Sequence, residues 1–523
     1  MIDLHQRLAN IGRMPRRDEQ RLRPGLARAA VDSSGQSDAA VLLPRIRIPG
    51  RELSARRLGE ALRSPMYGPV ALGILVVTTV VVVLYASSVP SDLVEGSYAL
   101  FPGWMAGPLN GLLSPLLEHA GGTPLLPWQT VDYAFTGAMI AMFVAYAVVL
   151  ASVRVLSMRA IAITIAALYA LLVLCPPLGL TDVFNYLGYA RLDALHGLNP
   201  YTHTIANEYF DPVYYFATWR HYHSPYGQVF TVLTYPLGLM SLSASYWVLK
   251  VGIVLLMGAF IALVWKCARQ LGYDPRFAVV FVALNPLILL DDVGGFHNDP
   301  VMLVPMMGAI SLLLARRYRW AGAALAVAIG VKPTIVLLLP FMMLAARPAR
   351  QSLQVLLGTV LGAIPLVIVS IALFGLSMPN VADQSIIVTP LSVVNLAGVA
   401  LHLGGASPGV EEASKIVLVL FVGGLLVTAI TRGRPDWLSG AGWATLALLV
   451  CTAWLMPWYI VWVLPLVAIS ASRRLRRAMA VFMVFALISF LPLTAMLLGR
   501  WHINLMNSPA DEAAIWRLYN FQH

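Results

Sequence analysis

The sequence predicts an all-α polytopic membrane protein, and three observations carry that prediction. Hydrophobic residues make up 59% of the 523 and charged residues only 12%, with a mean hydropathy of +0.75. Apolar runs of the length that crosses a hydrocarbon core, about 20 residues for about 30 Å, recur along the whole chain. Basic residues sit in short clusters between those runs, as the positive-inside rule expects of cytoplasmic loops. The net charge of +11 and pI near 9.7 therefore report topology, not a surface for nucleic acid. Cys175, Cys267 and Cys451 fall in apolar segments without metal-type spacing, which argues against disulfides or zinc and for small packed side chains.

Residues 1–63 carry thirteen Arg, no Lys and seven acidic residues, with no secretory apolar core. They read as a basic, partly disordered cytoplasmic tail whose default partner is anionic lipid. An uncleaved first span follows at 66–89 and opens a transmembrane domain over 64–498. The loop 90–131 holds Asp92, Glu95 and Glu118 but no Lys or Arg, and so is placed outside. Further spans at 132–153, 160–177, 246–265, 277–293, 301–315, 353–375, 414–430, 438–454, 458–472 and 478–498 make eleven crossings, with the N-terminus inside and a C-terminal tail, 499–523, outside. This puts Arg154 with Arg159, Lys266 with Arg269 and Arg276, Arg316 to Arg319, Arg347 with Arg350, Arg432 with Arg434, and Arg473 to Arg477 in the cytoplasm. The apolar stretches 228–242 and 320–345 fit no ordinary span and are expected as short or re-entrant elements, where broken backbone lines a cavity. No internal repeat is visible.

Polar chemistry is then confined to outer segments: 178–227, a link near 294–299, and 376–413. In the first, Val183, Leu187, Ala190 and Ala194 share one helical face and Asp182, Tyr186, Tyr189 and Asp193 another, which suits a helix along the membrane interface. Thr181 and Asp182 are both good N-cap residues, so Asp182 has a capping reading beside a chemical one. Arg191 and Arg220 are either surface residues, partners of Asp193 and Asp211, or anion contacts. Lys332 stands within an apolar segment, where an ionisable residue points to a site unless it snorkels to the interface. Asp299 before Pro300 suits a helix start, leaving His297 and Asn298 as polar groups in need of another account. The run HYHSPYG, holding His223 and Tyr226, reads as a polar turn at the membrane re-entry. Tyr214, Tyr215 and Trp219, and likewise Trp458, Tyr459 and Trp462, read as interfacial belt residues.

The ordered blocks TDVFNYLGYA, GLNPYT, HSPYGQVF, ALNPLILLDDVGGFHNDPVM, VKPT and MPWYIVWVLPL carry a resemblance. Over roughly residues 130–480 the chain resembles the polyprenol-phosphomannose-dependent α-1,6-mannosyltransferases of actinobacteria, within the GT-C class of membrane glycosyltransferases. Where those enzymes often have an Arg-Asp-Val-Tyr run, this chain has Thr181-Asp182-Val183-Phe184, keeping the acid and changing its neighbours. The resemblance implies a GT-C-like bundle in a bacterial plasma membrane with an extracytoplasmic site. It implies transfer of a sugar, mannose first, from a polyprenyl-phosphate donor to a glycan or glycolipid acceptor with inversion. Asp182 is then the general base. Lys332, Arg220 and Arg191 become candidates for the donor phosphate, and Tyr186, Tyr189, His223, Tyr226, His297, Asn298 and Asp299 for the sugar or acceptor. Neither a cofactor nor an obligatory metal is expected, nor nucleic acid as a partner. A lipid-linked arabinofuranose or glucose donor is the nearest alternative. A lipid or glycolipid transporter is disfavoured, because the acids and aromatics concentrate in outer loops and not at the midplane of paired broken helices.

Overall fold

Helices let an apolar chain satisfy its own backbone hydrogen bonds without water, and the computed structural model, described over residues 66–88, 102–117, 126–179, 182–379, 388–431 and 436–505, is built of helices with no strand among those residues. The basic N-terminal tail, Asp92, Glu95, Glu118, Thr181, Arg432, Arg434 and residues 506–523 lie outside them.

In chain order, α1 (Tyr67–Ser88) and α2 (Trp128–Ala151) precede the shorter α3 (Met158–Leu174) and α4 (Asp182–Ala194). Next come α5 (Gln228–Gly238), the long α6 (Leu242–Gln270) and α7 (Pro275–Ala283), which gives way to a π turn at Ile288–Val293. A hairpin of α8 (Asp299–Leu314) and α9 (Tyr318–Val331) breaks at Lys332 into a 3-10 turn, Pro333–Leu338, and α10 (Leu339–Ala345). After α11 (Ala349–Phe374), α12 (Val393–Ala400) and α13 (Pro408–Thr431), the chain forms α14 (Trp437–Val450), a 3-10 turn at Pro457–Trp462, α15 (Leu464–Ile469), α16 (Arg473–Phe490) and α17 (Pro492–Arg500).

Local chemistry sets many of these ends. Ser157, Ser241 and Ser472 accept backbone N–H groups at the starts of α3, α6 and α16, and Asp274 does so just before Pro275 opens α7.

Among the described residues five helices, α1, α2, α6, α11 and α13, are long and apolar enough to cross a membrane, and α16 with α17 makes a sixth candidate bent by 60°. The other predicted spans are short of the roughly 20 residues of a full crossing or are broken. Those at 160–177, 301–315 and 438–454 are helices of 17, 16 and 14 residues, and those at 277–293 and 458–472 are broken. Hydropathy does not register such breaks, because the residues on both sides of them are apolar. The two stretches expected to be short are an eleven-residue α5 and the broken α9–α10 unit. The helix at 182–194 forms as expected but does not lie along an open interface: Val183 to Leu192 are all buried, both faces included.

In the centre, α9 packs on α8 and α11, and α8 on α6, whereas α13 has no buried residue and presents apolar side chains all round. Small residues allow the closest contact. A Cβ added at Gly358 of α11 would stand 2.0 Å from the Arg319 carbonyl oxygen, and one at Gly322 of α9 would stand 2.1 Å from that of Val355. Gly358→Leu should therefore lower the melting temperature of the detergent-purified protein, since overpacking costs about 1–3 kcal/mol even where side chains can yield. Gly423→Leu on α13, where an added Cβ meets nothing within 4 Å, should leave it unchanged. Equal melting temperatures for the two variants would refute this account of the α9–α11 contact.

Candidate active site

Four chain breaks meet at one place: the start of α4, the link before α8, the end of α9 and the turn at Pro457–Trp462. Asp182, first residue of α4, keeps 13% of its side chain exposed. Its Oδ1 accepts from Trp219 Nε1 at 3.0 Å and from Asn185 Nδ2 at 3.3 Å. Asn185 Oδ1 in turn accepts from the Trp219 backbone N–H at 2.9 Å, so the indole is fixed against the first turn of α4. On the other side, His297 Nδ1 lies 3.3 Å from Asp182 Oδ2, a contact not aligned as a hydrogen bond. The imidazole is 1% exposed and stacks on Trp458 with ring centroids 3.6 Å apart and planes 12° from parallel.

Asp299 is fully buried, and its Oδ1 accepts from both Lys332 Nζ and Trp462 Nε1. The Lys332 ammonium also lies over the stacked rings of Trp462 and Tyr459, 4.9 and 5.7 Å from their centroids. Asn298 donates its backbone N–H to the Tyr186 hydroxyl at 3.1 Å, which ties the link before α8 to the middle of α4. The Tyr186 ring meets Tyr226 and Phe230 edge-on, and the Tyr189 hydroxyl donates to the Tyr222 carbonyl at 2.7 Å.

The structure thus brings Asp182, Tyr186, His297, Asn298, Asp299 and Lys332 together. Tyr189 and Tyr226 pack beside them, and His223 is half-buried in the turn that leads to Tyr226. The two arginines are placed otherwise. Arg191 Nε bridges both Asp211 oxygens at 2.9 Å, and its Nη1 donates to the Met240 carbonyl at 2.9 Å, latching the polar segment to the end of α5. Arg220 holds its guanidinium 4.6 Å from the Tyr214 ring centroid. Lys332 is turned to Asp299 and keeps 18% of its side chain exposed. Trp219, Trp458, Tyr459 and Trp462, read as belt residues, instead face the polar groups of the site. Asp291 and Asp292 were missed altogether, although two acids in an apolar run are the same signal that singled out Lys332. Asp292 is fully buried, with no hydrogen-bond partner for either carboxylate oxygen among the described residues. No group of three His, Cys, Asp or Glu among the described residues is arranged to hold a metal.

Chemically, Asp182 is a carboxylate that is partly exposed, oriented by two N–H donors and backed by an imidazole. It can accept a proton from a hydroxyl beside it. Asp299 has no such freedom. In the adjoining segment, burial pushes the Asp211 carboxyl upward, but hydrogen bonds from Arg191 and His196 hold it below the usual range. Burial raises Asp193, whose Oδ2 has no hydrogen-bond partner among the described residues, to about 6.

Two outcomes follow. A Cβ at Gly295 would stand 2.3 Å from the Asp291 carbonyl oxygen and 2.7 Å from His297 Nε2, so Gly295→Ala should displace the imidazole, read as loss of its burial in histidine labelling; unchanged labelling would refute the fit. Asp193 takes a proton more readily folded than unfolded, so its ionised form opposes folding at neutral pH, and this penalty disappears as pH falls from about 6 to below about 4. Asp193→Asn should raise the melting temperature relative to wild type at pH 7.5 and match it at pH 4.

The chain matches the family described as "Alpha-(1->6)-mannopyranosyltransferase, N-terminal domain" over residues 96–348 and that described as "MptB C-terminal domain" over 388–514. It is 24% identical over 351 residues to alpha-(1->6)-mannopyranosyltransferase A of Mycobacterium tuberculosis, covering 61% of this chain and 67% of the relative. A probable alpha-(1->6)-mannopyranosyltransferase of Mycolicibacterium smegmatis is 27% identical over 356 residues, covering 57% and 63%. Alpha-(1->6)-mannopyranosyltransferase A of Corynebacterium glutamicum is 26% identical over 190 residues, covering 34% and 37%. The chain thus spans about two thirds or less of the length of these relatives. No solved structure matches it.

Proposed function

The chain belongs to the alpha-(1->6)-mannopyranosyltransferase family, and on that premise we propose that it moves mannose from a polyprenyl-phosphate donor to a hydroxyl of a glycan or glycolipid acceptor, with inversion, at the outer face of the plasma membrane. The observation that carries this reading is Asp182, exposed enough to meet an acceptor and held by Trp219, Asn185 and His297. In the reaction the acceptor oxygen bonds to the anomeric carbon as the bond from that carbon to the phosphate oxygen breaks. The acceptor proton goes to Asp182, and polyprenyl phosphate leaves with the electron pair.

Inversion is supported by the second carboxylate. A retaining enzyme needs a free carboxylate nucleophile about 5 Å from the acid–base residue, whereas Asp299 is buried and bonded to Lys332 and Trp462. Lys332 keeps N–H donors beyond the one given to Asp299 and is our candidate for the donor phosphate, with Arg220 at the periphery. Arg191 is left out of this role because its donors are engaged by Asp211 and the end of α5. His297, Asn298, Tyr186, Tyr189, His223 and Tyr226 line the sugar and acceptor side. With Lys332 supplying the positive charge, the reaction needs no metal. The eleven-span topology with the N-terminus inside is part of the same proposal, since it puts the acidic, aromatic segment 178–227 outside.

Protein reconstituted in liposomes with polyprenyl-phosphate-mannose and a short α-mannoside should release polyprenyl phosphate and lengthen the acceptor, with and without EDTA. Asp182→Asn should lower kcat by at least about 100-fold, in the range general-base removal produces. Wild-type turnover by that variant removes Asp182 from the mechanism. Turnover of a lipid-linked arabinofuranose or glucose but not mannose keeps the site and replaces the sugar.

A further inference from the structure

Lys250 lies in the first third of α6, is fully buried, and has no part in the proposed chemistry. An ammonium within an apolar helix is costly unless fully solvated by the protein, and here the solvation is visible. Its Nζ donates to the Cys175 carbonyl at 2.7 Å and to the Tyr246 hydroxyl at 3.0 Å, and lies 4.3, 4.5 and 4.5 Å from the ring centroids of Trp247, Tyr246 and Phe296. Cys175 is the C-cap of α3, so the ammonium sits at the negative end of a helix dipole as well as among three π faces.

Its two outward contacts are the informative ones. Cys175 begins the segment that leads to Asp182. Phe296 immediately precedes His297 and is held at φ 55°, a left-handed conformation that residues with a Cβ rarely adopt. The same two segments are joined once more by the Leu178 N–H donating to the Gly294 carbonyl at 3.0 Å. The lysine therefore grips, from below, the two stretches of chain that deliver the carboxylate and the imidazole.

We propose that Lys250 is a positioning residue for the Asp182–His297 pair, fixing the spacing of the two segments by holding Cys175 on one side and Phe296 on the other. The proposal rests on the reading of Asp182 as the base. It touches neither substrate nor reacting atoms and acts through His297.

The test uses full-length Lys250→Met and Lys250→Arg in liposomes, with two independent readouts. Diethylpyrocarbonate labelling of His297, followed by mass spectrometry, should be about tenfold faster in Lys250→Met, with exposed His402 as an unchanged reference, and should return toward wild type in Lys250→Arg. In the mannosyl-transfer assay, Lys250→Met should lower kcat by about 100-fold with the donor KM unchanged, as misplacement of a reacting group by about 1 Å does. In a His297→Ala background the same substitution should then change kcat by less than about twofold, since both act on one pair. Wild-type labelling and kcat in Lys250→Met, or losses that multiply in the double variant, would overturn the proposal. Should wild-type protein turn over no mannosyl donor, the functional reading falls while the labelling comparison still judges Lys250. If Lys250→Met does not fold, Phe296→Leu removes only the ring the ammonium faces and should accelerate His297 labelling in the same way; wild-type protection in that variant would also overturn the proposal.

Discussion

A carboxylate buried in an apolar bundle must find its counter-charge and its donors inside the protein, and Asp299 does so by joining three segments remote in sequence. Lys332 at the broken end of α9 and Trp462 in the turn before α15 both donate to its Oδ1, while Asp299 itself opens α8. Asp299 is excluded from solvent, and leaving one side of such a pair uncompensated costs about 3–5 kcal/mol. The pair therefore acts as a register device. It fixes where α9 ends and which face the Pro457–Trp462 turn presents.

That register separates the roles of two carboxylates. Asp299 is saturated on one oxygen by two strong donors and excluded from solvent, so its charge is committed to structure. Asp182 has comparable donors in Trp219 and Asn185 but keeps an open side, and its second oxygen faces an imidazole. The difference is one of access. In the proposed reaction it decides which acid can meet a hydroxyl, and it leaves Lys332 near a phosphate without presenting a bare charge to the bilayer.

Much of this was legible in the sequence, residue by residue. Helix starts near Asp182 and Asp299 were legible, the second from Pro300 in its first turn, but the two acids do not act as caps: Asn298 is the N-cap of α8 without a side-chain bond, and the carboxylates accept instead from Trp219 and Asn185 and from Lys332 and Trp462. The break at Lys332-Pro333 follows from proline geometry with an ionisable residue in an apolar run. The ends of the central helices were not legible, because hydropathy averages composition over a window and the apolar neighbours of Asp291 and Asp292 hide the π turn at 288–293. Trp458 and Trp462 were misread for a related reason: an indole with one donor suits an interface and a buried acceptor equally, and only the fold says which it meets. Lys250 was invisible in a different way. One lysine barely shifts the mean of a long apolar window, and its solvation comes from Cys175 and Phe296, remote in sequence.

The link 294–299 shows how these contacts combine. His297 makes no aligned hydrogen bond through either ring nitrogen, yet it occupies one orientation against Asp182. Its neighbours supply the constraint: Phe296 is held under the Lys250 ammonium, the Asn298 N–H is bound to Tyr186, and Asp299 is bound to Lys332. With the backbone fixed on both sides and Trp458 covering its face, the imidazole has little room to turn. Trp458 and Trp462 lie in the second of the two regions that match the family, and Asp182, His297, Asp299 and Lys332 lie in the first. Neither region builds the site alone, because the first supplies the charges and Trp219, and the second supplies the indoles that cover His297 and bind Asp299.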